Sequence, residues 1–278
     1  MKRLILFLTA VGLTSCENFG QPTAPQPTPS LLLSTAVVTG ITDLGALPGA
    51  SFSEARGINA HGQVVGRGIT ASGALHAALW TVTPTGVTVQ DLGALGGGSS
   101  EALGINARGQ VVGASTTASG QFAALWTVTP TGVTVQDLGT LPGGDFSEAL
   151  GINARGQVVG FSITPSQEFH AALWTVTPTG VTVQDLGTLS GGFNEGDLTE
   201  ARGINARGQV VGFSITPSGA LHAALWTVTP TGVTVQDLGI LAGGSGVSLA
   251  FGINARGQVV GGSNTASGPF HAALWTLR

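Results

Sequence analysis

The stretch Ser147–Phe161, with the sequence SEALGINARGQVVGF, occurs in nearly the same form five times along the chain. Its central Gly-Ile-Asn recurs with spacings of 47, 47, 52 and 49 residues, beginning at Gly57, Gly104, Gly151, Gly203 and Gly252. Self-similarity at such a period is the sequence signature of a repeat architecture. One repeat therefore predicts the local structure of the whole array.

Each repeat contains two predicted β-hairpins. In the third repeat, Ser147–Asn153 and Gln157–Ser162 flank the turn sequence Asn-Ala-Arg-Gly, which favours a type I turn followed by a left-handed glycine. His170–Val176 and Val181–Leu186 flank Thr-Pro-Thr-Gly, with proline and glycine where a type I turn prefers them. No long segment after the N-terminal region shows helical periodicity. Each repeat is therefore predicted to form four antiparallel strands.

Five such repeats predict an all-β fold, a five-bladed β-propeller of four-stranded antiparallel blades, over residues 37–278. The fifth repeat stops after its third strand. Thr39–Gly45, near the other end, is similar in sequence to the fourth strand of the second repeat, Thr131–Gly139. We therefore expect an N-terminal strand to complete the last blade and close the ring, which removes both open sheet edges.

The N-terminus has the pattern of an export signal. Residues 1–15 place Lys2 and Arg3 before an apolar run that is too short to span a bilayer, which is typical of a signal peptide. The following Leu13-Thr14-Ser15-Cys16 resembles the lipobox of bacterial lipoproteins, and this resemblance implies lipidation of Cys16. The alternative is a chance cysteine in a signal peptide cleaved elsewhere. Residues 16–36 are proline-rich and predict an extended tether.

The repeat resembles the extracellular HAF-type repeats of bacterial proteins through GINxxGQVVG, the HAALW strand and DLGxLxGG, from about residue 39 onward. It departs from the motif that gives these repeats their name, because alanine replaces phenylalanine in HAALW. The resemblance implies export and a propeller-like fold, but no activity. Together with the signal, it predicts an exported lipoprotein anchored to the outer membrane or cell surface.

Composition limits the partners and cofactors. The formal net charge is -4, only 9% of residues are charged, and the single lysine is Lys2. A basic surface for nucleic acid is therefore not expected. Because Cys16 is the only cysteine, an internal disulfide is excluded. We expect a monomer without a cofactor, attached to the membrane by its lipid and binding an unknown protein or glycan.

Variable loops indicate one candidate binding face. The spacing from the Asp of each DLG to the next Gly-Ile-Asn is 14, 13, 14, 18 and 15 residues, whereas the spacings within hairpins are constant. Loops on a rigid scaffold commonly carry binding residues. The candidates on this face are Asp145, Phe146, Glu168, Phe193, Glu195 and Asp197. Neutral drift in unselected loops explains the same variation.

A second candidate is a set of carboxylates near the mouth of the predicted channel, contributed by Glu54, Glu101, Glu148 and Glu200 at the start of the first strand of four repeats. Such a ring could hold a Ca²⁺-like cation through oxygen ligands, but a solvated rim is the preferred interpretation, so no metal site is predicted. The recurring histidines and tryptophans are expected to pack between blades, and the aspartates of DLG to accept turn N–H bonds.

No nucleophile with an adjacent base, phosphate loop or zinc motif stands out from the repeats. The sequence therefore predicts a cell-envelope binding or assembly scaffold without catalysis. One alternative is a multivalent lectin-like module with five similar glycan pockets. A less favoured one is a glycan-active enzyme in the central channel, which would need a few unequal carboxylates.

Overall fold

The computed structural model describes residues 40–96, 98–192, 198–229 and 231–277. The predicted signal peptide, Cys16 and the tether lie outside these ranges. Contacts divide the chain into two units, Met1–Thr42 and Asp43–Arg278. The three described residues of the first unit have no regular secondary structure. Within the described ranges, no helix is long and apolar enough to cross a membrane.

The second unit consists of five successive sheets. Sheet 1 contains β1 (Ser53–Ile58), β2 (Gln63–Ile69), β3 (Leu75–Thr83) and β4 (Gly86–Gly93). Sheet 2 contains β5 (Ser100–Ile105), β6 (Gln110–Thr116), β7 (Gln121–Thr129) and β8 (Gly132–Gly139). Sheet 3 contains β9 (Phe146–Ile152), β10 (Gln157–Ile163), β11 (Phe169–Thr177) and β12 (Gly180–Asp185). Sheet 4 contains β13 (Glu200–Ile204), β14 (Gln209–Ile215), β15 (Leu221–Thr229) and β16 (Gly232–Asp237), and sheet 5 contains β17 (Ser248–Ile253), β18 (Gln258–Asn264) and β19 (Phe270–Thr276).

Neighbouring strands within each sheet are antiparallel and follow chain order. One parallel bridge between Gln121 and Phe146 joins sheets 2 and 3 into a single eight-stranded assembly. The all-β prediction with four-stranded antiparallel sheets is confirmed for sheets 1 to 4. The predicted strands of the third repeat agree with β9 to β12 to within a residue at nearly every end. Gly156 has the left-handed φ of 85° that the first turn requires.

A glycine-dependent bulge recurs where the second strand of a sheet passes the first. In sheet 3 the register between β9 and β10 shifts at Val159 and Gly160. A Cβ atom at Gly160 would lie 1.9 Å from the carbonyl oxygen of Glu148. Only glycine permits this approach of two backbones. The last glycine of each GQVVG is therefore required by local geometry.

Apolar cores lie between successive sheets. The core between sheets 1 and 2 joins Val65 and Leu79 to Val111 and Trp126, all of them buried. Trp126 also donates a hydrogen bond from Nε1 to the carbonyl oxygen of Gly93, at 3.2 Å. Equivalent cores with their own tryptophans follow between the later sheets. Trp126, Trp174, Trp226 and Trp275 therefore pack between sheets, as the sequence predicts, whereas Trp80 packs against Leu44 and Leu47, which precede sheet 1.

A chain of asparagine side chains also links the sheets. The Nδ2 atom of each donates to the backbone oxygen of the next, at 3.0 to 3.2 Å, in the order Asn59, Asn106, Asn153, Asn205 and Asn254. Each asparagine also bonds the glutamine four residues later, for example Asn153 with Gln157. The turn of every repeat is thus fixed both to its own sheet and to its neighbour.

The two ends of this series differ from its interior. Val260 and Leu274 on sheet 5 are 52% and 61% exposed, whereas Val211 and Leu225 at the same positions of sheet 4 are 0% and 7% exposed. On sheet 1, Ile58 is 69% exposed. Within the described ranges, sheet 5 has three strands and residues 40–45 form none. The predicted closing strand is therefore not observed over residues 40–45, and Thr39 lies outside the described residues.

Candidate binding site

The first strands of the sheets lie next to one another. β1 contacts β5, β5 contacts β9, β9 contacts β13, and β13 contacts β17. The glutamates near the starts of these strands, Glu54, Glu101, Glu148 and Glu200, are therefore brought toward one end of the same strand series. Each is at least half buried. The four carboxylates therefore lie at equivalent positions of first strands that contact one another in succession.

Three arginines join the carboxylates, and sequence reasoning missed all three. Arg56 and Arg202 lie on the first strands of sheets 1 and 4, and Arg67 lies on the second strand of sheet 1. We call the combined group the inner-strand cluster, and its members are Glu54, Arg56, Arg67, Glu101, Glu148, Glu200 and Arg202.

Arg67 connects the first two sheets. Its guanidinium lies 2.9 Å from Glu54 of its own sheet and 3.1 Å from Glu101 of the next. Arg56 adds a second contact to Glu54 at 3.2 Å. Because these groups are only partly exposed, water screens their attraction less than it would at an open surface. One arginine thus fixes the carboxylates of two sheets relative to each other.

In sheet 4, the two charged residues of the cluster form an ion pair within one strand. Arg202 lies 2.6 Å from Glu200, and its guanidinium lies over the ring of Phe213, 5.3 Å from the ring centroid. Burial raises the pKa of Glu200, and the adjacent Arg202 partly offsets this increase. The stacking adds a cation–π attraction that holds the guanidinium in place. Glu200 therefore has a fixed partner.

Among the described residues, no arginine forms an ion pair with Glu148. The amide of Gln121 donates a hydrogen bond from Nε2 to this carboxylate at 3.4 Å. The pKa of Glu148 is raised to about 7, chiefly by burial and additionally by the negative charges of Glu101 and Glu200, with Arg202 and Arg56 acting in the opposite direction. Near neutral pH this carboxyl group is thus present both as hydrogen-bond donor and as acceptor.

The members of the cluster come from four sheets whose first strands contact one another in succession. A signal for the arginines does exist in the sequence, since Arg56 and Arg202 stand where the second and third repeats have Leu103 and Leu150.

The described ranges contain no group of three histidine, cysteine, aspartate or glutamate side chains placed to hold a metal ion. Glu54, Glu101 and Glu200 each have an arginine partner instead. The cluster thus presents both hydrogen-bond donors and hydrogen-bond acceptors.

The candidate loop face is only partly described. Phe193, Glu195 and Asp197 lie outside the described residues. Asp145 is exposed, whereas Phe146 stacks on Phe161 with ring centroids 5.9 Å apart. Glu168 accepts a hydrogen bond from Ser166 at 2.6 Å, which is the main reason that its pKa is lowered. Phe146 and Glu168 thus have structural contacts of their own.

The repeated histidines form pairs that the sequence analysis missed. The Nδ1 atoms of His76, His170 and His222 each lie 2.6 to 2.9 Å from a carboxylate oxygen of the aspartate fifteen residues later, namely Asp91, Asp185 and Asp237. The same aspartates accept the turn N–H of the glycine two residues on, as predicted. These residues join the third strand of a sheet to the end of the fourth.

Comparison with known proteins gives distant structural likeness only. No protein-family model matches the chain, and no curated protein matches it in sequence. The chain is similar to TolB from Acinetobacter baumannii, with 13% identity and a TM-score of 0.47, over 81% of this chain and 54% of that one. It is also similar to a gluconolactonase from Xanthomonas campestris, with 12% identity and a TM-score of 0.44, over 80% and 76% of the two chains. This chain thus spans about half the length of TolB.

Proposed function

We propose that this protein is an exported, lipid-anchored module of the cell envelope that binds a ligand or partner without catalysis, through a single site at the inner-strand cluster. The signal-like residues 1–15, Cys16 and the proline-rich tether support export and anchoring. A lipid anchor with a spacer of about twenty residues lets a folded domain reach partners near the membrane.

One observation supports the choice of site above the others. The asparagines, histidines and serines that recur in the repeats make hydrogen bonds within the fold. Asparagines join sheets, histidines pair with aspartates, and serines bond backbone atoms, as Ser147 does with Gly139. The inner-strand cluster, by contrast, combines the glutamates that recur in four repeats with three arginines, Arg56, Arg67 and Arg202, that depart from the repeat. A single asymmetric site follows, rather than five equal pockets.

We further propose that the array is a five-bladed propeller closed by Asp43-Leu44-Gly45. The carbonyl oxygen of Gly45 accepts hydrogen bonds from Trp80 at 3.0 Å and from Ser53 at 2.9 Å. Gly93 accepts the same two bonds from Trp126 and Ser100 of the following sheet. Asp43-Leu44-Gly45 therefore contacts sheet 1 just as the end of a preceding fourth strand would.

In this proposal, Asp43-Leu44-Gly45 would lie between sheet 1 and sheet 5 and would complete sheet 5. His271 is exposed, whereas His76, His170 and His222 each contact the aspartate of the fourth strand of their sheet. Pairing of β19 with Asp43 would supply that carboxylate. It would also bring the exposed Val260 and Leu274 against sheet 1 and remove two open edges.

The binding proposal is tested with the mature chain carrying Cys16→Ser. A partner or glycan fraction retained from envelope extract is purified and titrated calorimetrically. We expect one ligand per chain and at least a tenfold loss of affinity in Arg67→Gln, because this change leaves Glu54 and Glu101 without their shared partner. Arg155→Gln, in the turn between β9 and β10, is the matched control and should bind normally.

Other outcomes would support other functions. Five ligands per chain, with no effect of Arg67→Gln, would favour the lectin-like alternative with repeated pockets. Saturable turnover of a glycan that is lost in Glu148→Gln would favour the enzyme. Either result would contradict a single non-catalytic site.

A further inference from the structure

A small cavity lies beside the inner-strand cluster, between sheets 1 and 2. Its volume is about 60 Å³, which is more than one water molecule requires. Its lining combines polar and apolar atoms and is formed by Leu75, Ser99, Ser100, Glu101, Ala114, Ser115, Thr116 and Gln121. Because Glu101 belongs to both features, a ligand in the cavity also reaches the cluster.

The cavity arises where the side chains of sheet 2 differ from those at the same positions of sheet 3. In sheet 3 the corresponding space is filled by three stacked rings, with Phe161 lying 5.9 Å from Phe146 and 5.3 Å from Phe169. The registers of the two sheets place Ala114 at the position of Phe161 and Gln121 at that of Phe169. The second repeat thus replaces large aromatic side chains with small or polar ones.

Sheet 5 shows that a small residue at this position does not by itself leave a cavity. Gly262 occupies the position of Ala114, and its Cβ would collide with the ring of Phe270. The ring therefore fills the space that the glycine leaves. In sheet 2 the residue opposite is Gln121, which does not fill it. The combination of Ala114 and Gln121 therefore produces the cavity.

The cavity offers two hydrogen-bond acceptors. Three of its hydroxyl groups already have hydrogen bonds. Ser115 accepts one from the backbone N–H of Leu95, Thr116 accepts one from the backbone N–H of Ser99, and Ser100 donates one to the carbonyl oxygen of Gly93. One oxygen of Glu101 is held by Arg67, and the amide nitrogen of Gln121 faces Glu148. The second oxygen of Glu101 and the amide oxygen of Gln121 have no hydrogen-bond partner among the described residues.

We propose that this cavity is a subsite for the hydroxymethyl group of a neutral hexose within a carbohydrate ligand. A hydroxymethyl group matches the small volume, and its O–H can donate to Glu101 or Gln121. An ammonium group is disfavoured, because the guanidinium of Arg67 already lies 3.1 Å from the Glu101 carboxylate. The inference rests on the proposed function, since it names the ligand class for the same site.

The test compares sugars that differ only in this group. Glucose, galactose and mannose are titrated into the full mature chain beside xylose, arabinose and lyxose, which lack the hydroxymethyl group, and binding is followed by ligand-observed NMR. We expect at least one hexose to bind about tenfold more tightly than its matched pentose. Ala114→Phe restores the side chain found in sheet 3 and should abolish this difference, whereas Ala114→Ser leaves room and should keep it.

Three results would overturn the subsite: no hexose binding, equal binding of hexose and pentose, or unchanged hexose binding in Ala114→Phe. Preferential binding of methylammonium would also overturn it. Failure of the subsite is distinguishable from failure of the proposed function. If the envelope ligand still requires Arg67 but is indifferent to Ala114→Phe, the binding function stands and the hexose subsite does not.

Discussion

Gly160→Ala is expected to destabilise the protein by about 3 kcal/mol or more. A Cβ atom there would lie 1.9 Å from the carbonyl oxygen of Glu148 and about 3 Å from the backbone of Ala149. Both neighbours are backbone atoms of a paired strand, so neither can move without breaking the bulge. Urea denaturation followed by tryptophan fluorescence measures the change.

Gly98→Ala is the control for this substitution. No atom lies within 4 Å of the Cβ position there, and the backbone is not left-handed. Its stability should change by less than about 1 kcal/mol, because alanine mainly reduces the entropy of the unfolded chain. If the two substitutions changed the free energy of unfolding equally, the close approach of the Gly160 backbone to Glu148 would not be the cause of the destabilisation.

Stability is expected to fall as pH rises from about 4.5 to about 7, because the pKa of Glu148 is raised from 4.5 to about 7 in the folded state. Between these values the unfolded chain has released the proton that the folded chain retains. Each pH unit then costs about 1.4 kcal/mol at most. Below pH 4.5 and above pH 7 this group contributes no further slope.

Glu148→Gln should remove that slope and make the protein more stable than the wild type at pH 8. Asp145→Asn is the control, since Asp145 is exposed three residues away and carries the same charge. Thermal unfolding at pH 5 and pH 8 gives the comparison. If Glu148→Gln and Asp145→Asn retained the wild-type slope equally, the raised pKa of Glu148 would be wrong.

Strand positions were predictable because they depend on short-range patterns. The turns at Asn153 and Thr177, and the β-prone segments between them, identify β9 to β12 to within about a residue at most ends. The buried position of Trp174 follows from its place in a strongly apolar strand. Such features repeat, so each repeat supplies independent support for the same assignment.

The candidate site was predictable only in part. The four glutamates share a position in the repeat, so their convergence followed from the sequence. An arginine stands at the position of Arg56 and Arg202 in two repeats and at the position of Arg67 in one repeat. A substitution seen in so few repeats resembles neutral drift. Their significance depends on which sheets become neighbours and on the register between strands. The cavity beside Ala114 likewise depends on Gln121, seven residues away on the next strand.

The proposed ring closure connects the proposed fold to the proposed function, because a closed ring would bring the first strands of sheets 1 and 5 around one site. In sheets 3 and 4 the aspartate of the fourth strand lies opposite an alanine, Ala172 with Asp185 and Ala224 with Asp237. The equivalent pair at the proposed closure is Ala273 with Asp43. Directly opposed residues of antiparallel strands have Cα atoms about 4.5 to 5.5 Å apart, which a disulfide can bridge.

The most direct test is disulfide formation between Asp43→Cys and Ala273→Cys in a chain that also carries Cys16→Ser. We predict an intrachain disulfide in a monomer, detected by its shifted mobility on non-reducing gels and by peptide mass spectrometry. Asp43→Cys with Ala272→Cys should form little, since adjacent strand residues point to opposite faces. Absence of the bond in the Ala273 variant, or its formation only between two chains, would contradict closure within one chain.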